Sequence, residues 1–266
     1  MLKNLIVSDF LKSHYGRMAR IFLAYGALIA LLYFTWKDAW VVIPRATEIY
    51  GFFDNIMGWE ADSLQKGYSP VSLAASAAVA HTMFFSVYVI VIDSLLYGRE
   101  IESQTSEVTF ARGVGVSPFL SSKILVTTVM VQGSYLLVSA AAGAVFAVRY
   151  QVADIPALVW LCCLKAFLSG LVCESFMLFC VMVYTWIRNQ TVAAAFLFLY
   201  MFVGMIVEMA IANSESILCQ LHPMYYWLRI CGLSDLPALV RPVGIYSVVT
   251  CVVCWGLSLI GLRRKH

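Results

Sequence analysis

The stretch IPALVWLCCLKAFLSGLVCESFMLFCVMVYTWI, residues 155–187, has Lys165 and Glu174 as its only charged side chains. A bilayer core about 30 Å thick is crossed by about 20 helical residues, so this run exceeds the length of one crossing. It is apolar all round, whereas a strand of a membrane β-barrel alternates apolar and polar positions. Working outward, five further stretches have the same character: 18–36, 71–96, 119–148, 192–212 and 243–262. The expected fold is an all-α polytopic membrane protein with six transmembrane helices, forming one domain over residues 1–266. Residues 119–148 and 155–187 are long enough to tilt, to project from the bilayer or to contain a break, and all three readings stay open.

Composition agrees. Apolar residues make up 62% of the chain and charged residues 12%, about half the charged share of a soluble domain. The first apolar run follows Lys3, Lys12, Arg17 and Arg20 but ends in Thr35-Trp36-Lys37-Asp38. That end lacks the small residues of a signal-peptidase site, so a retained span is expected. With the N-terminus inside, Lys3, Lys12, Arg17, Arg20, Arg99, Arg112, Lys123, Arg188, Arg263, Arg264 and Lys265 fall on the cytoplasmic side. Lys37, Arg45, Lys66, Arg149, Arg229 and Arg241 fall on the other. The bias predicts a multi-pass protein with both termini cytoplasmic. The net charge of +3 is then a topology signal and calls for no nucleic acid.

The connections carry their own signals. Residues 1–17 place Leu2, Leu5, Ile6, Phe10 and Leu11 on a broad apolar arc interrupted by Asp9. This suits an amphipathic helix lying on the membrane surface, though a mobile basic leader is the competing reading. Residues 37–69 form an outer loop too short for a domain of ordinary size. The tight connections at 149–154 and 188–190 predict helices that pack as neighbours. Residues 213–241 are too apolar for a solvated loop and too interrupted, by Pro223 and Gly232, for a crossing. A short re-entrant-like helical segment on the outer side is expected. Cys219 and Cys231 fall there and can form a disulfide if that face is oxidising. Cys251-Val-Val-Cys254 lies mid-span without further ligands and reads as two small apolar residues.

Several chemistries are excluded or weak. No Gly-x-x-x-x-Gly-Lys-Ser/Thr string exists, so no P-loop binds ATP in this chain. Ser169-Gly170 and His81 are the only raw material for an intramembrane serine protease, without its flanking pattern. His14, His81, His222 and His266 never stand at metal-ligand spacing with a carboxylate. An enzyme is not expected. Lys165, Glu174, Glu208 and Asp93 are ionisable groups inside or near the spans, costing about 2.5–3.5 kcal/mol or more at mid-bilayer. Lys165 and Glu174 lie on opposite faces of one helix, about 13 Å apart along its axis, so each needs a partner from elsewhere. Two readings stand for Lys165, Glu174 and Glu208: a translocation path, or structural interhelical hydrogen bonds. Lys165 has the further option of snorkelling to the outer interface.

The remaining signal is the charged segment 99–112, with Arg99, Glu100, Glu102, Glu107 and Arg112. A helix there, held between two spans, suits docking on a soluble protein. Ser117-Pro118 reads as the N-cap and first turn of the third span. The sequence here resembles the type-2 ABC transporter permeases. The likeness rests on the acidic pair Glu100 and Glu102 after the second span, the Gly115-Val116-Ser117 turn and Lys123 beyond it. Pro118 departs from the family, which often has a basic residue there. The resemblance implies a small six-span exporter subunit of a bacterial cytoplasmic membrane, working as a dimer with an identical or related permease. It also implies two ATPase subunits that hold ATP and Mg, with 99–112 as the coupling helix. A peptide, antibiotic or other amphiphile is the implied cargo, by analogy with immunity and multidrug permeases. The competing readings are an ion-coupled carrier or channel using Glu174, Glu208 or Asp93, and a membrane scaffold without transport.

Overall fold

The structure, a computed structural model, describes residues 2–14, 17–35, 69–210, 217–232 and 236–264. Most of the predicted outer loop 37–69 lies outside the described residues. The chain begins with α1 (Leu2–His14) and α2 (Arg17–Thr35). The second apolar run folds as α3 (Pro70–Val79), α4 (Thr82–Asp93), a π-helical turn at Ser94–Gly98 and α5 (Arg99–Glu102). A short α6 (Thr105–Ala111) leads to α7 (Val116–Arg149) and α8 (Ile155–Ile187). Then come α9 (Gln190–Ala210), α10 (Ile217–Gln220), α11 (Pro223–Cys231) and α12 (Leu236–Arg263). Every regular element among the described residues is helical.

Four helices are long and apolar enough to cross a membrane: Pro70–Glu102, Val116–Arg149, Ile155–Ile187 and Leu236–Arg263. Shorter apolar stretches cover Arg20–Leu31 and Gln190–Gly204. The chain is thus a helical membrane protein. The two longest expected spans are unbroken, at 34 residues for α7 and 33 for α8. At 1.5 Å per residue each is about 50 Å long, so they tilt or project beyond the bilayer core. Local chemistry sets their ends. Asp154 accepts from the amide of Ala157 at 3.0 Å, and Pro156 occupies the first turn of α8. The start of α7 differs from the expected Ser117 cap: Gly115 is the N-cap, and the amide of Phe119 donates to its carbonyl at 3.2 Å. Pro118 still sits in the first turn, where its missing N–H costs no helical bond.

α8 is the hub, packing against α3, α4, α7, α9, α11 and α12. Ile245, Val248, Val249 and Val252 of α12 remain exposed, an outward apolar face suited to lipid. The apolar segment before α12 packs onto the bundle as α10 and α11, with Trp227 and Ile230 fully buried. His81, at the break between α3 and α4, bonds Tyr25 Oη and Ser139 Oγ at 2.9 Å each, so it has no bond to Ser169.

At the π-turn, Gly98 lets the Tyr184 ring approach the backbone while Tyr184 Oη donates to the carbonyl of Ile90 at 3.2 Å. A Cβ at position 98 would stand 2.8 Å from Tyr184 Cδ1. Gly98→Ala is expected to displace that ring at an overpacking cost of about 1–3 kcal/mol. A lowered melting temperature of the detergent-solubilised protein checks this, and an unchanged value would show that the ring moves freely.

Candidate functional site

An ionic junction beside the charged segment 99–112 is built from three separated parts of the chain. Lys123 lies in the second turn of α7, Glu100 in α5 and Asp9 in α1, and the structure brings them together. Lys123 Nζ is 2.7 Å from Asp9 Oδ1 and 2.8 Å from Glu100 Oε2. Ser122 Oγ donates to the other Asp9 oxygen at 2.6 Å. The side chains of Lys123 and Asp9 are 3% and 5% exposed, and that of Glu100 is 19% exposed. One ammonium therefore holds two carboxylates in a largely dehydrated junction. Such groups contribute little net stability over a well-packed apolar replacement, but removing one partner strands the others.

Aromatic packing reinforces the junction. The Phe119 ring lies 5.1 Å from Phe110 of α6 and 6.4 Å from Tyr97 of the π-turn. The charged run of 99–112 is not one helix: Gln104 adopts a left-handed φ of 56° and divides α5 from α6. Gly113, at φ 81°, supplies the next turn, a conformation that a side chain disfavours. Arg99, Glu102, Glu107 and Arg112 are exposed, whereas Glu100 turns inward to Lys123. The segment thus has an outward charged face and an inward ionic and aromatic anchor.

The ionisable groups of the spans are placed separately. Lys165 is 2% exposed and does not snorkel; its Nζ donates to the carbonyls of Ile230 at 2.5 Å and Gly232 at 2.7 Å. It caps the C-terminal end of α11, where carbonyls lack helical partners and the dipole favours a cation. Glu174 accepts from Thr128 Oγ1 at 2.5 Å and Gln132 Nε2 at 3.5 Å, joining α8 to α7. Both partners come from other helices, and Lys165 and Glu174 face different neighbours. Glu208 falls in α9, and its side chain lies outside the described residues. Cys219 and Cys231 are buried and no disulfide joins them, and Cys231 Sγ donates to the carbonyl of Val79 at 3.2 Å.

Cavities of about 500 and 420 Å³ lie between α7 and α8 and between α2 and α7. Small and apolar residues dominate their walls, including Ala140, Gly143 and Ala144, and neither Lys165 nor Glu174 lines them. Among the described residues no group of three His, Cys, Asp or Glu is placed to hold a metal ion.

Sequence reasoning singled out Glu100 and Lys123 but missed Asp9 and Ser122. The available signal was Asp9 itself, a lone acid on the apolar arc of α1, which is better explained by a buried partner than by imperfect amphipathicity. The sequence matches no protein-family model and no curated protein.

Proposed function

We propose that the chain is the membrane-spanning subunit of an ATP-driven exporter of the type-2 ABC permease kind. It crosses a bacterial cytoplasmic membrane six times with both termini inside, and pairs with a second permease and two ATPase subunits. The apolar helices α2 and α9 supply the fifth and sixth crossings. The observation that carries the reading is the junction at Lys123. Glu100 and Lys123, two residues on which the resemblance rests, are bridged at 2.8 Å, and Asp9 joins the same ammonium.

This junction ties the segment 99–112 to α7 and α1, so a displacement of the segment reaches a span and the N-terminal helix together. The nucleotide and its Mg belong to the partner, whose closure on ATP changes its contacts with Arg99, Glu102, Glu107 and Arg112. Those differential contacts would bias the permease between two conformations without chemistry in this chain. An amphiphile such as a peptide or antibiotic is the proposed cargo, and the apolar walls of the cavities are compatible with one.

The geometry refines the test. Glu100 also holds Lys123, so its reversal mixes loss of docking with loss of structure. Glu102 and Glu107 are exposed and make the cleaner probe. Glu102→Lys combined with Glu107→Lys is expected to shift stability by no more than about 0.5 kcal/mol per substitution, as for exposed sites generally. It should nevertheless abolish co-purification of a P-loop ATPase with the tagged chain from its native host. A chain that purifies alone under conditions preserving membrane complexes would favour the ion-coupled or scaffold reading instead.

A further inference from the structure

Asp93 ends α4 immediately before the π-turn and is fully buried. Neither of its carboxylate oxygens has a hydrogen-bond partner among the described residues. The polar groups around it are engaged elsewhere. Tyr97 Oη pairs with Thr185 Oγ1 at 2.7 Å, Tyr184 Oη donates to the carbonyl of Ile90, and Gln190 Nε2 donates to Ser94 Oγ at 2.8 Å. Among the described residues, the titratable groups that interact with it are Glu174, Cys180 and Tyr184 of α8 and Tyr97 of the π-turn, and none of these is a cation. Arg188, which lies within reach of Tyr97, donates to the carbonyl of Gly261 at 3.3 Å.

A bare carboxylate so enclosed, with neither a donor nor a counter-charge, is too costly to persist. Glu174 contrasts with it, because both of its oxygens accept from donors. We infer that Asp93 is the anionic half of a monovalent-cation site beside the π-turn, filled by a proton or an alkali-metal ion. Single π-turns within helices recur at functional sites. This one runs directly into α5 and Glu100, so occupancy of Asp93 stands next to the segment joined to Lys123. The inference is independent of the exporter reading and needs no partner protein.

Infrared spectroscopy of the full chain in lipid discs at neutral pH, with and without aspartate labelled by carbon-13 at its carboxyl carbon, tests it. A protonated-carboxyl band that shifts with the label, disappears in Asp93→Asn and survives in Glu174→Gln identifies a proton. If that band is absent, sodium or potassium raising the melting temperature of the wild type but not of Asp93→Asn identifies an alkali-metal ion. Should Asp93→Asn fail to fold, the isotope shift and the salt titration on wild-type protein decide. Absence of both a labelled aspartate band and a salt-dependent melting temperature would overturn the proposal.

Discussion

Lys123→Gln is expected to destabilise the protein by about 3–5 kcal/mol, the cost of removing one partner from a buried ion pair. The mechanism is specific. Without the ammonium, Asp9 and Glu100 lose an ionic partner they share, in a junction where their side chains are 5% and 19% exposed. Ser122 remains as a donor to Asp9 but supplies no charge. Adding Asp9→Asn to Lys123→Gln removes one of the two carboxylates that shared the ammonium, so the double variant should be more stable than Lys123→Gln alone. A double-mutant cycle read from melting temperatures should yield a coupling of about 0.5–3 kcal/mol between positions 9 and 123. Additive effects would mean that the bridge contributes nothing and that α1 is held by its apolar contacts alone. In the proposed transporter the same variants should hydrolyse ATP while moving little cargo, because α7 and α1 no longer follow the segment 99–112.

Lys165→Met should open the other end of the bundle. The carbonyls of Ile230 and Gly232 lose their shared donor in a place with little water. Leaving a buried carbonyl unsatisfied costs about 1–3 kcal/mol, partly offset because the variant has no ammonium to desolvate. A net loss of about 2 kcal/mol is expected, together with loosening of α11 from α8. Cys231, fully buried in the wild type, reports on this directly. Its modification by a maleimide, located by mass spectrometry against the already exposed Cys163, should rise in Lys165→Met. Unchanged melting and a still protected Cys231 would show that Trp227 and Ile230 hold α11 by packing alone.

The sequence alone determined the helical membrane class, the long apolar segments and the place of the charged segment 99–112 between two of them. These follow from composition over windows of about 20 residues, since the length and apolarity of a run decide whether a helix can cross a bilayer. It also showed that Lys165 and Glu174 cannot pair, because helical geometry puts them on different faces. What it could not show was who meets whom. Asp9 and Lys123 are 114 residues apart, and Asp9 read locally as a flaw in an amphipathic arc. Lys165 was equally compatible with snorkelling, a path or an interhelical bond until α11 folded back against α8. The π-turn beside Asp93 depends on the Tyr184 ring resting on Gly98, a contact between separate helices. Hydropathy is a property of a segment, whereas the partner of a buried charge is a property of the packing. Only the tertiary structure decided the junction at Lys123, the cap at Lys165 and the enclosure of Asp93 without a hydrogen-bond partner among the described residues.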